Sequence, residues 1–113
     1  MGFFDALRTE VAHLGISVST VIPGFIRTNI SSNALRGDGA ATGQTDEDIA
    51  GGMEVSRCVE VIVDGLARGM NEIAVGEGEE MALLELKRSN PEEAFARLEG
   101  LAGHIRAARE AAE

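Results

Sequence analysis

Aromatic residues and cysteine are scarce in this chain of 113 residues. There are four phenylalanines and no tryptophan or tyrosine, so no proton-transfer step can rest on a tyrosine of this sequence. With a single cysteine, Cys58, neither an internal disulfide nor a cysteine-rich zinc site can form. The core must therefore be built from aliphatic side chains, and the 44% hydrophobic content is sufficient for one small domain.

Positive charge is also scarce. The formal net charge is -9, and no run of Lys or Arg is interleaved with aromatic residues, so we expect no nucleic-acid partner. No apolar run approaches the roughly 20 residues that span a bilayer. The first ten residues, MGFFDALRTE, lack the basic start and the long apolar stretch of a secretory signal. We therefore expect a cytoplasmic protein with no membrane partner.

Helical and strand patterns alternate along the first two thirds of the chain. Apolar residues recur at helical spacing over residues 3–14 and 56–68, which predicts two amphipathic helices. The run ISVSTVI, residues 16–22, and the run EIAV, residues 72–75, predict two short buried strands. The order helix, strand, loop, helix, strand implies parallel strands joined by a helical crossover.

The predicted fold class is therefore α/β. Because a parallel sheet normally has more than two strands and helices on both faces, we expect the two strands to form one edge of a larger parallel sheet, with about four helices and a helical tail. Residues 1–89 would form the sheet part and residues 90–113 a C-terminal helix. That helix has a full start signal, with Asn90 at the N-cap, Pro91 at the first helical position and Glu93 as the capping-box partner.

The stretch EIAVGEGEEM is a candidate phosphate-binding turn. Gly76 and Gly78 occupy the first two positions of a dinucleotide fingerprint, but the third position is Met81. The glutamates between and after the glycines would place carboxylates at the helix N-terminus that should attract a pyrophosphate. We interpret this stretch as a structural turn, in which the acidic side chains favour the helix dipole.

The remaining reactive side chains predict no catalytic residue and no metal site. Cys58 is far in sequence from both histidines, His13 and His104, and is interpreted as a small packing residue of a helix. No spacing of His, Cys, Asp and Glu is typical of metal ligands. Ser31 and Ser32 lie in a polar loop with no base nearby in sequence and are interpreted as solvated.

The stretch GFFDALRTEVAHLGISVSTVIPGFIRT, residues 2–28, resembles the second half of a short-chain dehydrogenase/reductase. In that family, the helix bearing a catalytic Tyr-x-x-x-Lys pair continues as a segment similar to GFFDALRTEV. It then passes through a glycine turn into a strand that ends in Pro-Gly, with a threonine a few residues later. The similarity is weaker through the following loop, the helix from Ser56 and the strand near Ile73. The resemblance implies that the chain forms the C-terminal half of a Rossmann-like, doubly wound parallel sheet.

The resemblance implies a nicotinamide cofactor, NAD or NADP, and four residues that would bind it. Pro23 and Gly24 would turn the chain at the nicotinamide end of the crevice. The backbone of Ile26 would meet the carboxamide, and the hydroxyl of Thr28 would bond the cofactor nearby.

The resemblance also implies a substrate side and a subunit contact. Phe25 and Asn29 would border a small alcohol or carbonyl substrate, and residues 29–55 would form the substrate-binding loop. The helix over residues 3–14 would belong to a helical interface between subunits, so self-association is expected there.

The family's Gly-rich cofactor turn, its Asn-Ala-Gly segment and its catalytic Ser, Tyr and Lys are absent from this sequence. We therefore expect the C-terminal part of an NAD(P)-dependent oxidoreductase that is not competent alone. The alternative is a non-catalytic interaction or oligomerisation module that associates through the apolar faces around Phe3, Val59 and Leu98.

Overall fold

The structure is a computed structural model and describes residues 2–112. Six α-helices, one 3-10 turn and two β-strands follow one another along these residues. In chain order they are α1 (Gly2–Val11) with its 3-10 turn (Ala12–Leu14), β1 (Thr20–Pro23), α2 (Ile30–Asn33), α3 (Glu47–Ala50), α4 (Val55–Ala67), β2 (Glu72–Val75), α5 (Glu79–Ser89) and α6 (Pro91–Ala112).

The chain divides into two compact units after Gly78. The first unit contains the helices α1 to α4 and both strands, and the second contains α5 and α6. All the predicted cofactor and substrate residues lie in the first unit.

The two strands of the first unit pair in parallel. Their register runs from Thr20 opposite Glu72 to Pro23 opposite Val75. The connection between them carries α4, so the strands are joined by a helical crossover, as predicted. This arrangement confirms the α/β class and is a partial Rossmann-like fold.

The core of this unit lies between β2 and α4. Ile73 and Val75 alternate on one face of β2, and each is only 1% exposed. Met53 and Cys58 complete the buried cluster, and Ile26 packs against it. Cys58 is thus a packing residue of the core, in agreement with the sequence interpretation.

The first helix is held to the strands through one arginine. The Arg8 guanidinium donates from Nε to the Val18 carbonyl at 2.9 Å and from Nη2 to the Asn71 carbonyl at 3.0 Å. These carbonyls precede β1 and β2, so a single side chain ties α1 to the amino ends of both strands. Gly15 follows the 3-10 turn with φ +73°, a left-handed conformation that ends the helix.

The first strand was predicted too long. It is four residues long and begins at Thr20, because only Thr20 and later residues pair with β2. The polar loop contains two single-turn helices, α2 and α3. The N-cap of α4 is Glu54, and its side chain makes no capping hydrogen bond.

The second unit is a helical hairpin whose second helix begins as predicted. The backbone N–H of Glu93 donates to Oδ1 of Asn90 at 3.3 Å, and Pro91 is the first residue of α6. The Glu93 carboxylate, however, accepts from the Asn90 side-chain amide at 3.2 Å, because the Asn90 backbone N–H donates to Leu86. The Glu93 carboxylate therefore bonds the side chain of Asn90, where a standard capping box would have it bond the Asn90 backbone N–H.

No helix within residues 2–112 is both long enough and apolar enough to cross a membrane. In the same part of the chain, no cluster of three or more His, Cys, Asp or Glu side chains could hold a metal ion.

Candidate functional site

The candidate site begins where β1 ends. The N–H of Gly24 donates to the Val75 carbonyl at 2.7 Å, which extends the ladder one residue beyond Pro23. In a parallel ladder the residue between two bonded neighbours points its own polar groups away from the partner strand. The missing N–H of Pro23 therefore costs no hydrogen bond to β2, and the N–H of Gly24 is already used within the sheet.

A second, isolated parallel bridge follows at Ile26 and Met53. The N–H of Met53 donates to the Phe25 carbonyl at 2.9 Å, and the N–H of Arg27 donates to the Met53 carbonyl at 2.8 Å. We call the two bridged segments, residues 25–27 and 52–54, the neck of the loop that they enclose. The neck brings together residues that are 27 positions apart in sequence.

The neck directs the polar backbone groups of Ile26 away from Met53. Because Met53 bonds the neighbours of Ile26 on both sides, the N–H and C=O of Ile26 point to the opposite edge. Neither group hydrogen-bonds any other residue among those that the structure describes. The Ile26 side chain packs against the buried cluster, which fixes the position of this peptide.

Thr28 and Asn29 lead from the neck into α2. The Thr28 hydroxyl oxygen accepts weakly from the N–H of Ile30 at 3.4 Å, and the side chain is exposed. The carbonyl of Asn29 accepts from the N–H of Asn33 and from the hydroxyl of Ser32, each at 3.0 Å. The Thr28 hydroxyl proton is therefore available to a ligand two residues beyond Ile26.

Phe25 lies beside these groups on the surface. It is 41% exposed, and side chains alternate along extended backbone, so its ring projects to the opposite face from the half-buried Ile26. The predicted cofactor and substrate residues thus form one continuous turn. Ile26 and Thr28 present free polar groups there, and Phe25 presents an apolar surface.

The enclosed loop is held together by its own hydrogen bonds. Thr42 is at the centre, because its N–H donates to the Ala34 carbonyl at 2.8 Å and its carbonyl accepts from Arg36 at 2.9 Å. The Ser31 hydroxyl accepts from the N–H of Asp46 at 3.0 Å. Ser31 and Ser32 both take part in loop structure, so neither is free in the way the sequence suggested.

Sequence reasoning missed the part of the neck formed by Gly52, Met53 and Glu54. The Glu54 carboxylate forms an exposed ion pair with Arg27 at the outer end of the neck. The only local signal was a glycine pair followed by an apolar residue, which is typical of any turn.

Comparison with curated proteins adds an independent observation. The chain is 44% identical over 75 residues to the dehydrogenase/reductase SDR family protein 7-like of Drosophila melanogaster, covering 66% of this chain and 23% of that protein. It is 38% identical over 77 residues to the human dehydrogenase/reductase SDR family member 7, covering 67% of this chain and 23% of that protein. The chain is a relative of the short-chain dehydrogenase/reductases.

The chain spans about a quarter of the length of these short-chain dehydrogenase/reductase relatives, since each alignment covers 23% of the relative. A third relative, the SDR family member 7B of Danio rerio, is 46% identical over 52 residues, which cover 46% of this chain and 17% of that protein. No protein-family model matches the chain. No solved structure matches it either.

Proposed function

We propose that the turn over residues 23–29 binds the nicotinamide end of NAD or NADP in an oxidoreductase of this family. The observation that carries the proposal is that the backbone N–H and C=O of Ile26 both face away from Met53 and pair with none of the residues that the structure describes. A carboxamide has one acceptor oxygen and two donor hydrogens, so it can accept from the Ile26 N–H and donate to the Ile26 C=O. The Thr28 hydroxyl adds a third polar contact nearby.

The cofactor, when bound, supplies hydride transfer to or from an alcohol or carbonyl carbon. The role of this chain is to bind the nicotinamide group and to orient its ring. Ile26 and Thr28 fix the rotation of the carboxamide, which sets the face that the nicotinamide ring presents to substrate. The exposed ring of Phe25 and the side chain of Asn29 border the substrate, and residues 29–55 cover it.

The proton-transfer group of the reaction lies outside these 113 residues. The sequence has no tyrosine, and its single lysine, Lys87, is on α5 in the other unit. We propose that the chain contributes half of a nicotinamide site and that the groups holding the pyrophosphate and moving the hydroxyl proton are supplied from elsewhere.

The experiment is an NMR titration of the 15N-labelled chain with reduced nicotinamide mononucleotide. We expect the amide signals of Ile26 and Thr28 to shift together, with a dissociation constant of about 1–10 mM, because only a few hydrogen bonds of about 1 kcal/mol each are made. Reduced nicotinic acid mononucleotide is the matched ligand, since its carboxylate cannot donate to the Ile26 C=O. Equal shifts with both ligands, or no shift at Ile26, would contradict the proposal.

A second candidate function, an association module, is favoured by exposed apolar side chains. Phe3 is 73% exposed and stacks edge-to-face on Phe4 at 5.2 Å between ring centroids. Val59 and Leu98 are also exposed, on α4 and α6. Single exposed residues are ordinary, but two adjacent phenylalanines on one helix favour a partner surface.

A sedimentation experiment tests whether the chain self-associates through residues 3–14. We expect an oligomer whose dissociation constant rises when Phe3 and Phe4 are both replaced by serine. A monomer at about 100 μM protein would contradict self-association, because specific interfaces are normally stable well below that concentration.

A further inference from the structure

The backbone of Gly52 lies unusually close to the peptide bond that joins Phe25 to Ile26. A Cβ atom built on Gly52 would lie 2.4 Å from the Phe25 carbonyl oxygen, 2.6 Å from the Phe25 carbonyl carbon and 3.0 Å from the Ile26 nitrogen. All three atoms belong to one peptide group, so no flexible side chain can move aside. Gly52 has no positive φ, so close approach, and not backbone conformation, is what requires glycine here.

This peptide group is the one whose N–H the proposed function assigns to the carboxamide. Its carbonyl oxygen is held on one side by the N–H of Met53, and its N–H projects to the other side. Any displacement of the peptide plane therefore moves the donor that would meet the ligand. Relieving a 2.4 Å contact to the 3.4 Å of ordinary van der Waals contact requires a shift of about 1.0 Å.

A shift of that size is large compared with the tolerance of a hydrogen bond. Donor and acceptor atoms of N–H···O bonds are separated by about 2.7–3.2 Å, so a 1.0 Å displacement breaks or misaligns the bond. The neck has little freedom to absorb the shift elsewhere, because Met53 is 6% exposed and Ile26 packs against the same buried cluster.

We propose that Gly52 is a positioning residue: its missing side chain sets the place of the Ile26 peptide, and through it the orientation of the bound carboxamide. This inference rests on the proposed function, since it concerns the same site. Gly52 lies after the loop, 26 positions from Ile26, and the proposal gives it a role in holding the nicotinamide end of the cofactor.

The test compares Gly52→Ala with Gly51→Ala, which differ by one position. A Cβ on Gly51 would lie 3.4 Å from the Glu47 carbonyl oxygen, an ordinary contact, so this variant is the matched control. We expect Gly52→Ala to shift the Ile26 amide signal and to weaken binding of reduced nicotinamide mononucleotide by about tenfold, as the loss of one to two hydrogen bonds implies. Gly51→Ala should leave both unchanged.

Three results are decisive. If the parent chain binds the mononucleotide and Gly52→Ala binds it equally well, the positioning role is wrong while the proposed function stands. If the parent does not bind it, the proposed function itself fails. If Gly51→Ala weakens binding as much as Gly52→Ala, the effect is a general disturbance of the loop and the positioning role is again wrong.

Hydrogen exchange of the parent chain is the measurement that does not depend on a variant folding. We expect the amides of Arg27 and Met53 to exchange slowly and the amide of Ile26 to exchange fast until the mononucleotide is added. Equally fast exchange at all three amides would show that the neck does not hold the peptide, and would overturn the inference even if Gly52→Ala cannot be purified.

Discussion

Gly65 lies where α4 crosses Ile73 of β2. Its replacement by alanine has two opposing effects on the free energy of unfolding. A Cβ there would lie 2.8 Å from Cδ1, 2.8 Å from Cγ1 and 3.0 Å from Cγ2 of Ile73. Ile73 is 1% exposed and β-branched, so it has no space to turn away. Overpacking of a core costs about 1–3 kcal/mol, and alanine in a helix recovers about 1 kcal/mol relative to glycine.

The expected net result is a loss of about 1–2 kcal/mol, because three buried atoms are crowded at once and the upper part of the overpacking range applies. In a unit of this size that lowers the midpoint of thermal unfolding by about 5–15 °C. Urea unfolding followed by circular dichroism gives the free energy directly.

The matched variant is Ile73→Val, which removes Cδ1 and alone costs about 0.5–1.5 kcal/mol. Combined with Gly65→Ala it should cost less than the sum of the two single changes by at least about 0.5 kcal/mol, because the valine gives up one of the crowding atoms. An alanine variant more stable than the parent, as helix propensity alone would produce, would refute this account of the core. Strict additivity of the two free-energy costs in the double variant would also refute it.

Three further changes test other parts of the fold. Arg8→Ala should destabilise the first unit by about 1–2 kcal/mol, since it removes the bonds to the Val18 and Asn71 carbonyls; Arg8→Lys should recover less than half of this in urea unfolding, because an ammonium does not have the guanidinium fork. Asn90→Ala should cost α6 about 1 kcal/mol as its N-cap is lost, measured as a lower helical signal on heating. Gly100→Ala should do the opposite and stabilise α6 by about 1 kcal/mol, because a Cβ there meets nothing within 4 Å; a loss of helicity would contradict that reasoning.

Much of the fold could be predicted because its elements are encoded locally. The apolar face of α4 has helical period, so the predicted helix, 56–68, matched the observed Val55–Ala67 to within one residue. The strand β2 was predicted with its observed bounds, since turn residues flank the short and mainly apolar run EIAV. The first strand was predicted too long, because Ile16 and Val18 are β-branched and favour extended backbone, but only Thr20 and later residues pair with β2.

The candidate site was less accessible to sequence reasoning for a physical reason. The Pro-Gly turn and Thr28 carry a local pattern, and the resemblance gave them roles. The neck depends on a bridge between Ile26 and Met53, and no local propensity encodes a pairing across 27 positions. Likewise, the glycine requirement at position 52 arises from the approach of another segment, so it looks in sequence like any loop glycine.

The central claim is that this chain holds the nicotinamide end of a cofactor and lacks the rest of the cradle. Its most direct test is the affinity of NADH relative to reduced nicotinamide mononucleotide, both followed at the Ile26 amide of the folded chain. We predict millimolar binding of both and a ratio near one, because the proposal assigns only the nicotinamide end, and not the adenosine half, to these residues. Micromolar NADH binding, at least about a hundredfold tighter than the mononucleotide, would contradict the claim, as would an Ile26 signal that neither ligand moves.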